Sequence, residues 1–356
     1  MDSITQILLG GAVAAAIAPA GHRRAALLAG AALGTLPDLD VLPISLLTDN
    51  PVERMTWHRG VSHSLLVLPF VAWAIWTWCR SRGGRVAQAP RRWFWAIQLA
   101  LLTHPLLDAF TVYGTQLLWP FAARPAMWSS VFIIDPLYTV WLLVGVGVAA
   151  IAGERRISQQ VLVGGLVLST MYLGASQVAK WQVERVAADS LAAMNLADAP
   201  RFSVPTPFNI LLWRVVAMTP EGFVEGERSL VADRGAMHFR EYRTDVKALA
   251  AVYEYPAVQR LTWFNRGFMK AERRDGELVL SDLRMGSEPD YSFRFVVARD
   301  DGAGWREVPP RQLQWPWQAS RRLSAMWQRI WTPNGMLEPA RPAGDTEPQS
   351  TVRADQ

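Results

Sequence analysis

The chain has 356 residues, 51% hydrophobic and 19% charged, with 36 Lys and Arg against 31 Asp and Glu for a formal net charge of +5. That balance excludes disorder and argues against a wholly soluble protein, because soluble domains carry about 25% charge. Up to residue 180 there are 13 basic and 8 acidic residues, and beyond it 23 of each, so the excess lies in the apolar half. It forms short clusters there, with no basic stripe interleaved with aromatics, and no nucleic-acid partner is expected.

Apolar runs over roughly residues 4–20, 25–47, 61–79, 93–119, 131–152 and 158–179 approach the length that crosses a bilayer. They predict an α-helical multi-pass membrane bundle of about five to six helices over residues 1–180. The first run is short and rich in Gly and Ala, and the second is interrupted by Pro37-Asp38-Leu39-Asp40, so five spans stay open beside six. Met1-Asp2-Ser3 lacks the positive charge of a cleaved leader, and the first run is expected to be retained. Gly10, Gly11 and Gly30 read as points of close helix packing. Under a six-span count, three basic clusters fall on one side, which marks it as cytoplasmic. These are Arg23 with Arg24; Arg80, Arg82, Arg85, Arg91 and Arg92; and Arg155 with Arg156. Everything after residue 180 is then expected on the opposite face. Cys79 is the only cysteine, so no internal disulfide forms.

Residues 181–198 continue the last span as a helix. From about residue 200 the pattern turns to short alternating segments, at 209–218, 223–231, 261–270, 277–283 and 291–298, punctuated by Gly, Asp and Pro. They predict antiparallel strands and a small β-rich soluble domain over residues 181–335. Residues 336–356, rich in Pro, Glu, Asp and Ser, are expected to be a disordered tail.

Histidines and acids inside apolar segments are costly and mark function. Asp38 and Asp40 follow a proline at a turn. His58 and His63 flank Gly60, and His104 and Asp108 stand four apart on one helix face. These six are the candidate metal ligands, since neutral imidazole with carboxylate suits a divalent ion such as zinc, with manganese the alternative. The set has room for two ions, which would activate water and neutralise charge on a phosphoryl or acyl oxygen. Arg59 is the candidate clamp for a substrate anion. Asp135, before Pro136, reads equally as a helix cap and as a reserve ligand or base.

Several segments resemble the bacterial inner-membrane metal-dependent hydrolases of the YdjM/YbcI type. They are Met1-Asp2-Ser3-Ile4-Thr5-Gln6, Leu36-Pro37-Asp38-Leu39-Asp40, His58-Arg59-Gly60-Val61-Ser62-His63-Ser64 and Thr103-His104-Pro105-Leu106-Leu107-Asp108, with Tyr113-Gly114-Thr115-Gln116, Trp119-Pro120 and Ile134-Asp135-Pro136-Leu137-Tyr138 downstream. The resemblance implies a multi-pass inner-membrane hydrolase, and the positions of the basic clusters then put the C-terminal domain in the periplasm. It also implies His104 and Asp108 as ligands, with His58, His63, Asp38 and Asp40 as partners. Many members carry His where Gln6 stands, so one coordination position differs here. The expected activity is hydrolysis of a phosphoester or other ester, with membrane lipids as partners and a small molecule or lipid as substrate. The competing expectation is a non-enzymatic envelope or transport protein that uses the same residues structurally or as a proton relay. Convergence of the residues separates the two, because a relay would string them across the membrane.

Overall fold

A computed structural model describes residues 1–314 and 319–333. The first half is helical: α1 (Ser3–Ile17), α2 (Arg23–Thr35), α3 (Val41–Leu47), α4 (Pro51–Trp57), α5 (Leu68–Ser81), α6 (Gly84–Gln88), α7 (Pro90–Ala109), α8 (Pro136–Ala152) and α9 (Arg156–Ala192). Among the described residues, two stretches are long and apolar enough to cross a membrane, Ala20–Leu47 and Arg156–Ala192. A third exists if Pro51–His63 and Leu68–Ser81, bent by 56°, are one span, and Ser3–Ile17 and Pro136–Ala152 are shorter apolar helices.

α1 and α2 cross where neither helix presents a side chain. A Cβ on Gly34 would stand 2.3 Å from the Gln6 carbonyl oxygen, and one on Gly30 would stand 2.2 Å from that of Gly10. The backbones therefore touch. At the opposite end of α2, Arg23 Nη1 donates to Gly153 O at 2.7 Å, while Arg24 Nε and Nη2 donate to Ala150 O and Ile151 O at 2.9 and 2.8 Å. The two arginines thus satisfy the orphan carbonyls that end α8.

Two expected helical runs are shorter than their apolar length suggested. The run at 61–79 opens on a 3-10 turn, Val61–His63, and becomes α-helical only at Leu68. The run at 93–119 leaves the helix at Ala109, where Thr111 Oγ1 turns back to donate to Asp108 O, and Gly114 then takes φ +107. Residues 110–135 form an ordered irregular segment held by bonds such as Trp128 N to Ala109 O at 2.7 Å.

The second half carries two four-stranded antiparallel sheets. One runs in the order β1 (Arg201–Pro205), β2 (Leu212–Thr219), β3 (Gly222–Ser229), β4 (Phe239–Arg243). The other consists of β5 (Met269–Arg274), β6 (Glu277–Asp282), β9 (Arg294–Asp300) and β10 (Trp305–Gln312), ordered β10-β9-β6-β5, and the β7 (Gly286–Ser287) and β8 (Asp290–Tyr291) hairpin stands apart. Helices α10 (Val246–Ala251) and α11 (Pro256–Asn265) precede β5, and α12 (Ala319–Trp331) follows the sheets, setting Met326 and Ile330 against Leu212. The segment 261–270, expected as a strand, begins inside α11. Pro256 opens that helix, and Val258, Leu261 and Phe264 recur at helical spacing on its buried face. The tail expected from residue 336 lies outside the described residues.

The sheets sit on the helical half through shared cores. Val52 and Met55 of α4 and Tyr113 pack with Val258, Leu261 and Phe264 of α11 and with β5, β6 and β9. Val112 and Met127 pack with Phe202, Val216 and Phe223. Arg284 bolts the joint. Fully buried, it pairs with Asp282 through Nη2 at 2.6 Å and donates from Nη1 to Tyr113 O at 2.8 Å and Phe264 O at 3.1 Å.

Candidate metal centre

Four side chains from three places in the chain meet beside the α1 and α2 crossing. His104 and Asp108 project from one face of α7. Asp38 comes from the 3-10 segment Leu36–Asp40 between α2 and α3, and His63 ends the 3-10 turn before α5. One ligand atom from each of the four lies within 4.8 Å of the other three. His63 Nε2 is 3.1 Å from His104 Nε2, 3.3 Å from Asp38 Oδ1 and 3.2 Å from Asp108 Oδ2. His104 Nε2 is 3.4 Å from Asp38 Oδ1 and 3.6 Å from Asp108 Oδ2. A regular tetrahedron around an ion with bonds of about 2.0–2.2 Å has edges of roughly 3.3–3.6 Å. Five edges of the group are close to that figure.

The outer bonds fix where the lone pairs point. His104 Nδ1 lies 2.6 Å from Gly34 O, an acceptor, so Nδ1 carries the hydrogen and Nε2 is left as a base. Ser62 Oγ donates to Asp40 Oδ2 at 2.6 Å and can then only accept from His63 Nδ1 at 2.9 Å, which leaves His63 Nε2 as a base too. Asp108 Oδ1 accepts from Gln6 Nε2 at 3.1 Å and from the Met1 amino group, while Asp108 Oδ2 and Asp38 Oδ1 are buried without a hydrogen-bond donor. Two nitrogen and two oxygen lone pairs thus converge on one point. Arg59 and the Met1 amino group offset the charge of Asp108, but Asp38 Oδ1 and the two basic imidazole nitrogens face one another with no donor between them, which is costly. A cation held by two neutral imidazoles and two carboxylates resolves it, and imidazoles anchored through their second nitrogen are the usual support of such sites.

The other expected site residues surround this group. Asp40 gives one oxygen to His58 Nδ1 at 2.7 Å and the other to Ser62 and to the Arg59 backbone N–H at 3.2 Å. His58 and Asp40, expected as ligands, therefore form an adjoining pair outside the group of four. Arg59, expected to clamp a substrate anion, is buried. Its Nε lies 3.1 Å from Asp108 Oδ2, its Nη1 donates to Thr111 Oγ1 at 3.1 Å, and its guanidinium lies 4.8 Å from the Tyr113 ring centre. Arg59 takes φ +62, a backbone conformation rare outside glycine. Gly60 follows because a Cβ there would stand 2.7 Å from Trp57 O. Asp135 lies outside the group of four. It caps α8, accepting from Leu137 N and Tyr138 N at 3.1 and 3.3 Å, and takes the Tyr172 hydroxyl at 2.9 Å.

Ser62, Gly34 and Tyr113 were not identified as site residues from sequence. Ser62 stood inside the His58-to-His63 segment, and its position beside a ligand was the available signal. Gly34 acts through its carbonyl, which no residue type reveals. Gln6 supports Asp108 through its amide.

Neither a curated protein nor a solved structure matches the chain. A family model does, that of the YdjM inner membrane protein, and it spans residues 1–183. All four converging side chains, the His58 and Asp40 pair and the α1 and α2 crossing lie inside that span, which exceeds half the chain; the chain belongs to the YdjM inner membrane protein family.

Proposed function

We propose that this protein is a metal-dependent hydrolase of the inner membrane, acting on a phosphoester or other ester at the outer face of its helical half. The carrying observation is the convergence of Asp38, His63, His104 and Asp108 with their donorless lone pairs. Zinc suits the two-nitrogen, two-oxygen set best, with manganese the alternative. A bound divalent ion supplies Lewis acidity, polarising an ester or phosphoryl oxygen and acidifying water. The protein's own groups do the rest. Asp40 fixes His58 by Nδ1, so that Nε2 of this partly exposed ring is free to take or give a proton. Arg59 offsets the charge of buried Asp108 and holds its carboxylate in place.

The positions of the basic clusters support a multi-pass topology with the sheets on the periplasmic side. Convergence also weighs against a relay, since groups gathered within 4.8 Å conduct a proton nowhere.

The test is elemental analysis of detergent-purified protein. About one equivalent of zinc or manganese is expected for the natural sequence and less than a tenth of that for His104→Ala. Equal metal in both proteins would remove the ligand assignment. A screen of phosphodiesters and carboxylic esters should then find turnover that chelation abolishes.

A further inference from the structure

Water has a poor route to the centre. His63, His104 and Asp108 show no exposed side-chain surface, so of the group of four only Asp38, at 22%, reaches the outside, with His58 at 21% and Asp40 at 8% beside it. One side of the site is covered by the sheet domain. Tyr113 donates its hydroxyl to Met55 O at 2.8 Å and sets its ring against Phe264 and Phe293, and Arg260 of α11 donates to Thr56 Oγ1 at 2.9 Å. The sheet domain therefore lies over α4 and the His58 loop.

The exposed side chains next to Asp38 and His63 in the chain are apolar. Leu39, between Asp38 and Asp40, is 46% exposed; Val61, two residues before His63, is 47% exposed; Leu42, on the next turn, is 60% exposed. Leu39 and Leu42 belong to Ala20–Leu47, one of the stretches able to cross a membrane, and Val61 sits at the bend of the broken pair. Asp38, the ligand that reaches the outside, and His63, buried behind it, thus both stand at breaks in apolar helices. Non-helical backbone at such depth is tolerated where it lines a site.

We infer that the substrate is a membrane amphiphile, its ester or phosphoester head at Asp38 and its hydrocarbon tail across Leu39, Leu42 and Val61, arriving laterally from the lipid and not from the aqueous phase. The inference rests on the proposed metal centre. A water-soluble substrate would have to cross exposed leucine and valine to meet a carboxylate, whereas a lipid head already lies at that level while its tail stays in hydrocarbon.

The test uses the full chain in lipid nanodiscs loaded with Co2+, whose visible absorption reports ligands at the ion without turnover. The probes are methyl-, butyl-, octyl- and dodecylphosphonate, which do not hydrolyse. Binding is expected to tighten steeply with chain length, at up to roughly fourfold per CH2, and to exceed a hundredfold between methyl and dodecyl. The double variant Leu39→Ser/Val61→Ser should bind Co2+ as before and methylphosphonate within twofold, but dodecylphosphonate at least fivefold more weakly. Affinity independent of chain length, or equal weakening of short and long probes, would overturn lateral access. If Co2+ binds stoichiometrically and no phosphonate perturbs it, the amphiphile assignment falls while the metal centre stands. If Co2+ fails to bind, the underlying reading falls and this one with it.

Discussion

Ser62 shows how much of the centre depends on a residue that would touch no metal. Its hydroxyl takes the His63 Nδ1 hydrogen and passes its own to Asp40, so one oxygen sets the tautomer of a ligand and the position of the His58 partner. Ser62→Ala is expected to weaken zinc binding about 10- to 100-fold, the usual cost of losing such support, measured by competition with a chromophoric chelator. Unchanged affinity would show that His63 is held by packing alone. At this scale the sequence was informative where the chemistry resides in side chains. His63, His104, Asp38 and Asp108 were visible because polar residues in apolar runs need a reason. The sorting of ligands from partners was not visible, since Asp38 and Asp40 are the same residue type two positions apart and only their neighbours separate them. Asp135 followed its local signal, a cap before Pro136, which needs nothing from the rest of the fold.

Two interrupted helices carry half of the group, and a third element fixes how near they come. The α1 and α2 crossing brings the backbone carbonyl of Gly34 to His104, so a methyl group added there is felt two side chains away. Gly34→Ala would press a Cβ against Gln6 O, where the ideal position is only 2.3 Å off. Overpacking of this kind costs about 1–3 kcal/mol. A lowered midpoint of thermal unfolding with reduced metal content is expected; a fall in stability with full metal content would uncouple the crossing from the site. Pro37 announced the first break in advance; the one after His63 was not foreseen, since the apolar run was read as continuous from residue 61. The end of α7 at Ala109 was hidden because Phe110, Val112, Tyr113, Leu117, Leu118 and Trp119 keep the run apolar after it leaves the helix, with Val112 and Tyr113 serving the cores beneath the sheets. The second half of α11 was taken into a strand at 261–270 because a ten-residue helix with five buried residues offers too few turns to separate a period of 3.6 from one of 2.

The whole molecule is held at the joint between helices and sheets. Arg284→Ala would leave Asp282 buried without its partner and strip Tyr113 O of a donor. A loss of about 3–5 kcal/mol is expected, seen as early cleavage within residues 201–312 during limited proteolysis while the helical half persists. Simultaneous loss of both halves would mean that they unfold as one unit. For orientation, alkaline phosphatase fused after residue 200 should be active and fused after residue 86 inactive, the reverse result inverting the proposed topology. The two-part organisation was legible from the shift in charge and periodicity, but the joint was not, since Arg284, Tyr113 and Met55 lie far apart in sequence.

The arginines at positions 23 and 24 carry a further consequence. If loop charge alone chose which way a bundle faces, the inverted arrangement would be equally well packed, and relocating charge would turn the protein over intact. Here the same guanidinium groups close the end of α8. Relocating these charges to turn the bundle over would therefore also unfasten the end of α8, so a charge-moved variant is expected to show a folding defect beside any change of orientation.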